Sequence, residues 1–480
     1  MIWTTSDTRT PPGAAADLLW PALSAPFRGD LPVRLRAWDG SEIGPPDRPT
    51  LLLRDRQALR RILWQPDELG LARAYVTGEL DVDGDLTECV RLVWEAARSH
   101  GLSGGKLKLG SRIAAIRAAV RLGAVGPPPA PPASERKYSG QPRSANRGQH
   151  AIAGPSEVPS EFYQLILGPQ MAYSAARWTQ GCQSLADAQA ANLDAICTAL
   201  RLEPGMRLLD VGCGWGALAI HAARNYGVQV TAVTPSSKQA AFVEQRATRL
   251  GLASLVTVLM QQVRDIAGPP HDAVASIEMS GRDGSADYPV FCDLLRGQVR
   301  ASGLVLIQQM SCGSRARVGA FVQRYIMPDL HMRPAGETIG LLERSGFKVS
   351  DVQDMRRDCA RTIRAWHLNL ERRRDDAVTI LGLESARAWQ LYLASGALAF
   401  EQGQVGIHQI LGGPARVLWQ PPAGTVLANR VNGSTGHADG VRQPRGGRGM
   451  PARPASRASD WLASRASDWL ASRVAERRPP

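Results

Sequence analysis

The stretch RLLDVGCGWGALAIHAARNYGVQVTAVTPSSKQ, residues 207–239, decides the fold. A short apolar run ends at Asp210, and glycines follow at every second position, as Gly212, Gly214 and Gly216. A helix is predicted directly after them. Glycine permits a sharp turn and lets the backbone lie close against a ligand. A strand, a glycine-rich turn and a helix in this order indicate the nucleotide-binding unit of a Rossmann-like fold.

The segments around this unit repeat the alternation of strand and helix. Strands that alternate with helices of this length predict a mostly parallel, doubly wound sheet, and hence an α/β fold. The predicted strands cover residues 206–211, 228–233, 255–259, 273–277 and 304–308, and the predicted helices cover 187–201, 217–225 and 237–250.

The N-terminal part of the chain has a different pattern. Residues 33–38 alternate apolar and polar side chains, as a half-buried strand does, and Asp39-Gly40 is a strong hairpin-turn signal. A second short strand is predicted at 51–53, and helices at 55–63 and 86–99. These elements predict a small α+β accessory domain.

The domain boundaries follow from composition. Proline at the density found in 126–133 continues neither a helix nor a central strand, so a semi-rigid spacer is expected there, and 134–149 is expected to be mobile. The tail repeats ASRASDWL at 455–462 and 463–470, and is either a dispensable extension or a Trp-bearing surface anchor. The predicted divisions are a disordered N-terminus (1–15), the accessory domain (16–125), a Pro-rich and basic linker (126–149), a Rossmann-like domain (150–412) and a disordered tail (423–480).

Composition narrows the class of protein. The net charge of +13 favours an anionic partner, although arginines scattered without a partner explain it equally well. The basic residues form no stripe interleaved with aromatics, which argues against nucleic acid. Seven cysteines without CxxC spacing argue against a zinc site or a disulfide framework, and a reducing cytoplasm fits them best. We see no signal peptide and no run of 18 apolar residues, so any membrane contact is expected to be peripheral.

The glycine spacing is informative about the ligand. The loop reads G-x-G-x-G and lacks the G-x-G-x-x-G spacing that seats a pyrophosphate. This favours S-adenosylmethionine over a dinucleotide. The segment is similar to the cofactor segment of the cyclopropane-fatty-acid synthase family, which includes the mycolic-acid cyclopropane synthases. The similarity continues through Tyr173-Ser174, residues 185–189, 276–279, 288–289, 324–326, 361–362 with Trp366, and 392–393, and into the accessory domain at 70–75 and 78–80.

This resemblance implies a class I methyltransferase domain that binds S-adenosylmethionine and an unsaturated acyl chain of a membrane lipid. The alkene attacks the sulfonium methyl, and a base then removes a proton, giving a cyclopropane or a methylene branch. The partner is expected to be unsaturated phospholipid at the inner face of the membrane, and a homodimer is left open. Carried over by position, the cofactor-binding residues are Tyr173, Ser174, Asp210, Gly212, Gly214, Gly216, Thr234 and Gln239.

The departures from the family pattern concern residues expected to take part in catalysis, and not those that determine the fold. In the family a bound bicarbonate commonly serves as the base. Here Ala175 stands where the family has a cysteine, and Gly281 stands where it has an acid. Cys359 stands at the position of a tyrosine, and Gly396 at that of a second cysteine found in some members. Alanine and glycine have no side-chain hydrogen-bonding group, so the bicarbonate site is expected to be absent or rebuilt.

The remaining catalytic candidates are Glu278, Tyr325 and Asp283, and no metal is expected. Two alternatives stay open beside an active lipid methyltransferase. One is a degenerate member that binds S-adenosylmethionine without turnover, and the other is a methyltransferase for a different hydrophobic acceptor.

Overall fold

The structure, a computed structural model, describes residues 14–101, 109–136, 158–279, 284–313, 318–328 and 330–415. The chain divides into two units, Met1–Pro422 and Ala423–Pro480. The second unit, and with it the predicted repeat tail, lies outside the described residues, as do 1–13 and 137–149. The predictions of disorder in those segments therefore stay predictions.

The N-terminal part contains a four-stranded sheet in the order β2-β1-β3-β4. The Asp39-Gly40 hairpin prediction is confirmed, because β1 and β2 pair antiparallel on either side of it. Aspartates at positions 55, 67 and 85 each accept hydrogen bonds from backbone N–H groups of the following helix, which fixes where α2, α3 and α4 begin. The elements are β1 (Arg34–Arg36), β2 (Glu42–Ile43), β3 (Thr50–Leu53), β4 (Leu80–Asp83), α1 (Ala15–Ser24), α2 (Arg56–Trp64), α3 (Glu68–Val76), α4 (Leu86–Ser99) and α5 (Leu109–Arg121).

The larger sheet has seven strands: β5 (Arg207–Val211), β6 (Gln229–Thr234), β7 (Val256–Met260), β8 (His271–Ile277), β9 (Val299–Cys312), β10 (Phe347–Asp354) and β11 (Val405–Pro414). Their order is β10-β11-β9-β8-β5-β6-β7. Strands β5 to β9 pair in parallel, and β11 lies antiparallel to both β9 and β10. The prediction of a mostly parallel, doubly wound sheet is confirmed.

Helices cover both faces of this sheet. Leu208 and Leu209 are both fully buried and point to opposite faces, so β5 supports two separate apolar clusters. The helices are α6 (Ser160–Leu167), α7 (Leu185–Ala199), α8 (Ala217–Tyr226), α9 (Ser237–Arg249), α10 (Gly284–Gln298), α11 (Ala320–Tyr325), α12 (Ala335–Arg344), α13 (Arg356–Arg372), α14 (Arg374–Leu381) and α15 (Leu383–Glu401).

The N-terminal sheet layer is fastened to α15 by one buried arginine. Arg387 is 3% exposed and donates to the carbonyl oxygens of Tyr75 at 2.6 Å and Leu80 at 3.0 Å. Its guanidinium also bonds the Asp81 carboxylate at 3.1 Å. Breaking the hydrogen bonds and the ion pair of a buried guanidinium is costly. The accessory part and the sheet domain therefore pack together as one unit.

The linker prediction needs correction. Arg61 donates to the Ala130 carbonyl at 2.6 Å, so the proline-rich segment runs along α2 and is no free spacer. Residues 134–136 were expected to be mobile, but Glu135 is buried and pairs with Arg73 at 2.6 Å. The pairing with Arg73 allows the Glu135 carboxylate to be buried, because a carboxylate is buried stably only beside a compensating charge. No helix in the described part of the chain is long and apolar enough to cross a membrane.

Candidate active site

A cavity opens at the carboxyl ends of β5, β6 and β8. The strand order reverses at β5, with β6 and β7 on one side and β8 and β9 on the other. Such a switch point is where doubly wound sheets bind ligands. The cavity encloses about 1810 Å³ with its open mouth included.

The two ends of the cavity differ in chemistry. The glycine loop and the ends of the parallel strands supply the polar end, while α13, α15 and the edges of β9 and β11 supply the apolar end. Its polar lining includes Tyr173, Ser174, Gln189, Asn192, Asp210, Thr234, Ser236, Gln239 and Glu278. Its apolar lining includes Met279, Met310, Met327, Leu330, Ile363, Trp366, Phe400 and Ile407.

The three loop glycines have different roles. All three have positive φ, between 55° and 76°, where a side chain is strained. Gly212 and Gly214 line the cavity. A Cβ on Gly214 would meet no atom within 4 Å, so its missing side chain leaves open space. Gly216 is outside the lining, and a Cβ there would meet Val243 of α9 at 2.8 Å. Its assignment as a cofactor contact is therefore corrected: Gly216 permits close packing of the loop against α9.

Asp210 presents a buried carboxylate to the polar end. Burial raises its pKa to about 7, and a hydrogen bond from the Ala219 backbone lowers it by less. Its Oδ2 atom has no hydrogen-bond partner among the described residues. A buried carboxylate of this kind is stabilised as an anion by a cationic group beside it. The expectation that Asp210 contacts the cofactor stays a prediction.

The remaining predicted cofactor residues converge on the same end. The Thr234 hydroxyl donates to Gln239 Oε1 at 2.7 Å. On the opposite wall, the side-chain amide of Gln308 donates to Ser174 Oγ. Gln308 is fully buried behind the cavity, and its Oε1 accepts from Asn192 at 3.4 Å. A single residue behind the wall therefore orients two residues of the lining.

Glu278 lies where the polar and apolar ends meet. It follows the last residue of β8 and has φ of 58°, a conformation that is strained for a residue with a side chain. Its backbone N–H donates to the Gln308 carbonyl at 2.7 Å, which holds it there. Its negative charge raises the pKa of both the Cys359 thiol and the Tyr392 hydroxyl, although burial is the larger cause for each. Strain of this kind in a cavity wall is characteristic of functional positions.

Aromatic rings form much of the wall beside Glu278. The ring of Tyr173 lies 5.3 Å from Trp366 and 5.5 Å from Tyr163, measured between centroids. Tyr392 hydrogen-bonds with Tyr173, and burial raises its pKa to about 12. The Tyr392 hydroxyl therefore stays protonated at neutral pH. The faces of such aromatic rings can stabilise positive charge.

Of the three predicted catalytic residues, Glu278 lines the cavity, Tyr325 lies outside it, and Asp283 is outside the described residues. The Tyr325 hydroxyl donates to Glu135 at 3.2 Å, within the contact between α11 and the linker segment. Tyr325 is not among the lining residues, so its prediction as a catalytic group is corrected to a structural one. Asp283 lies outside the described residues, and so does Gly281.

The positions that would hold bicarbonate do not fit it. Ala175 is buried and apolar, and Gly396 is in contact range of Ile363. The Cys359 thiol lines the cavity, but burial raises its pKa well above its usual value and keeps it protonated. These positions offer neither the charge nor the hydrogen bonds that an oxyanion requires.

Sequence reasoning missed several lining residues. Gln189 and Asn192 are buried polar residues on α7, a helix that was predicted without assigning either of them to the site. Their polarity within an otherwise apolar helix face was the available signal. Met310 and Ile407 come from paired strands almost 100 positions apart, and no local signal connects them.

Comparison with known proteins agrees with this geometry. Residues 144–410 match the family model for mycolic acid cyclopropane synthetase. A probable fatty acid methyltransferase of Mycobacterium tuberculosis is 34% identical over 82% of this chain and 96% of its own length. A probable fatty acid methyltransferase of Pseudomonas putida is 32% identical over 79% of this chain and 91% of its own.

Among solved structures, a mycolic acid cyclopropane synthase complexed with SAH and CTAB superposes with a TM-score of 0.52 at 26% identity, covering 55% of this chain and 97% of its own. The family match covers more than half of the chain, and the first relative aligns along nearly its whole length. The chain therefore belongs to the mycolic acid cyclopropane synthetase family of S-adenosylmethionine-dependent methyltransferases.

Proposed function

We propose that this protein transfers the methyl group of S-adenosylmethionine to the double bond of an unsaturated phospholipid acyl chain, giving a cyclopropane or methyl-branched fatty acid. The observation that carries the proposal is one cavity with a polar end on the glycine loop and a long apolar end. The relatives named as fatty acid methyltransferases support a fatty acyl acceptor. The related synthase complexed with both SAH and CTAB supports a cavity that takes two ligands.

The polar end fits the cofactor. Gly214 leaves open space against which a ligand can lie, and Thr234 and Gln239 offer hydroxyl and amide groups suited to its ribose and amino-acid parts. The unpartnered Oδ2 of Asp210 suits a cationic ligand. When bound, S-adenosylmethionine would supply an electrophilic methyl group, whose bond to sulfur breaks as S-adenosylhomocysteine leaves.

The apolar end positions the acceptor. Met310, Ile363 and Trp366 line a groove suited to an acyl chain and keep water from the reacting carbons. Addition of a methyl group to an alkene leaves positive charge on the neighbouring chain carbon. The ring faces of Tyr173 and Trp366 stabilise that charge.

Glu278 is the proton acceptor in this proposal. Among the described lining residues, Asp210 and Glu278 are the two carboxylates, and the charge of Glu278 acts on the Cys359 and Tyr392 of the apolar end. A carboxylate here replaces the base that the Ala175 and Cys359 positions do not hold. The Glu278 carboxylate takes the proton that must leave the methylated chain before a neutral product forms.

The test uses purified protein, methyl-labelled S-adenosylmethionine and phospholipid vesicles. After lipid extraction and hydrolysis, the label is expected in fatty acids with a one-carbon mass increase. Calorimetric binding of S-adenosylmethionine without labelled fatty acid would contradict the proposal and favour a family member that binds the cofactor without turnover. Label in a different hydrophobic acceptor would contradict the choice of substrate alone.

A further inference from the structure

The exposed face of α5 is an apolar stripe with no cover in the described chain. Ile113, Ile116 and Val120 recur at a spacing of three and four residues, so they share one side of the helix. Ile116 and Val120 are 56% and 59% exposed. The opposite side of α5 is covered, because Ala118 and Ala119 are buried in the core of the N-terminal layer. The exposed stripe is therefore not needed to pack α5 against that core.

The apolar surface continues beyond the end of α5. Val125 is exposed, and Trp64 of α2 lies beside it, since the Trp64 indole N–H donates to the Gly126 carbonyl at 2.9 Å. The Trp64 ring is nevertheless 57% exposed. An indole with its polar atom satisfied and its ring uncovered is suited to the headgroup level of a lipid bilayer.

The sequence segment that contains this stripe carries charge of one sign. Residues 96–134 contain no Asp or Glu, and their cationic residues are Arg98, Lys106, Lys108, Arg112, Arg117 and Arg121. Arg117 and Arg121 are exposed next to the stripe. The guanidinium groups of Arg56 and Arg60 lie beside Gly123 and Gly126 at its far end. Apolar side chains with these cations beside them are complementary to a surface that is apolar inside and anionic outside.

We propose that this surface docks on an anionic phospholipid bilayer, with the aliphatic side chains and Trp64 at the level of the headgroups and the arginines on lipid phosphates. This rests on the proposed function, which requires access to acyl chains within a bilayer. We name it the α5 face; its members are Trp64, Ile113, Ile116, Arg117, Val120, Arg121 and Val125.

A second copy of the chain is the less suitable occupant. A two-fold interface places the same patch on both partners, so it would bring Arg117 and Arg121 of both copies together. The 96–134 segment has no carboxylate to compensate them. Charged residues are also depleted from the centres of protein interfaces.

The experiment measures binding of the full chain to vesicles by co-sedimentation. Vesicles of phosphatidylglycerol and phosphatidylcholine in equal amounts are compared with vesicles of phosphatidylcholine alone, at low and high salt. Two double variants alter the α5 face: Arg117→Gln with Arg121→Gln, and Ile116→Ser with Val120→Ser. A matched control, Arg224→Gln with Arg249→Gln, removes two exposed helical arginines elsewhere.

The wild type is expected to prefer the anionic vesicles and to lose binding at high salt. Removing both arginines is expected to weaken partitioning about 30-fold, from about fivefold for each cation near the bilayer. The serine variant is expected to lose at least about tenfold, because less apolar area is buried. The control variant is expected to bind as the wild type does, and all variants should retain their calorimetric affinity for S-adenosylmethionine.

Unchanged vesicle binding by both α5-face variants would overturn the inference. Conversion of a dimer to a monomer by these variants, without a change in vesicle binding, would assign the face to a second copy. Wild-type binding through the α5 face without any methylated acyl chain would refute the proposed function and leave the docking surface standing.

Discussion

Adding one methyl group to either of two neighbouring glycines should have opposite consequences. Gly214→Ala places the methyl in open space within the cavity, and Gly216→Ala places it 2.8 Å and 2.9 Å from the Val243 methyl carbons. Both positions have positive φ, 55° and 76°, so both variants incur backbone strain of about 1–2 kcal/mol. Only Gly216→Ala adds overpacking, which typically costs about 1–3 kcal/mol.

Gly216→Ala should therefore destabilise the protein by about 2–4 kcal/mol, after allowing about 0.5 kcal/mol for the lower entropy of the unfolded chain. Gly214→Ala should cost only about 1 kcal/mol in stability but lower cofactor affinity at least tenfold, because its methyl occupies ligand space. The assays are the thermal unfolding midpoint without ligand and a calorimetric titration with S-adenosylmethionine. Equal midpoints for the two variants, or an unchanged affinity in Gly214→Ala, would refute the separation of roles.

Four further outcomes follow from the site and the core. Because burial raises the apo pKa of Asp210 to about 7 and a cationic ligand prefers the ionised form, cofactor affinity should rise up to about tenfold per pH unit below pH 7 and level off above it. Asp210→Asn should flatten that profile, and an unaltered profile would exclude Asp210 as the titrating group. Glu278→Gln should lower kcat by about 100-fold or more at unchanged cofactor affinity, whereas wild-type turnover would remove Glu278 from the proton-transfer step. Gln308→Leu leaves Ser174 without its donor and should raise the KM for cofactor about tenfold, an effect that Gln308→Glu should not reverse because a carboxylate cannot donate. Arg387→Ala breaks three buried hydrogen bonds and should lower stability by about 3 kcal/mol with cofactor affinity intact, as read from the unfolding midpoint; a midpoint like that of the wild type would contradict the fastening role.

The sheet could be predicted because its signals are local. The apolar run before Asp210 and the glycines after it report a buried strand and a tight turn without reference to the rest of the chain. The hairpin at Asp39-Gly40 is local in the same way. Strand order and the antiparallel placement of β11 depend on contacts between residues far apart in sequence, and the sequence pattern does not report them.

The site could be predicted only in part, because some of its contacts join residues far apart in sequence. Gly212 and Gly214 line the cavity, whereas Gly216 packs against Val243, and the spacing alone does not tell which glycine touches a ligand. Tyr325 follows a family motif but faces Glu135, a partner 190 positions away. The buried Arg73–Glu135 pair was likewise hidden, because a charged segment near a proline run resembles a mobile linker until its partner is known.

The measurement that tests the central claim most directly is methyl transfer to two matched vesicle preparations. One contains a phospholipid with monounsaturated chains, and the other contains the same headgroup with saturated chains. We predict that label from methyl-labelled S-adenosylmethionine enters the fatty acids of the unsaturated vesicles alone, with a one-carbon mass increase. Equal labelling of both preparations, or bound cofactor with no labelled fatty acid in either, would contradict methyl transfer to an acyl double bond.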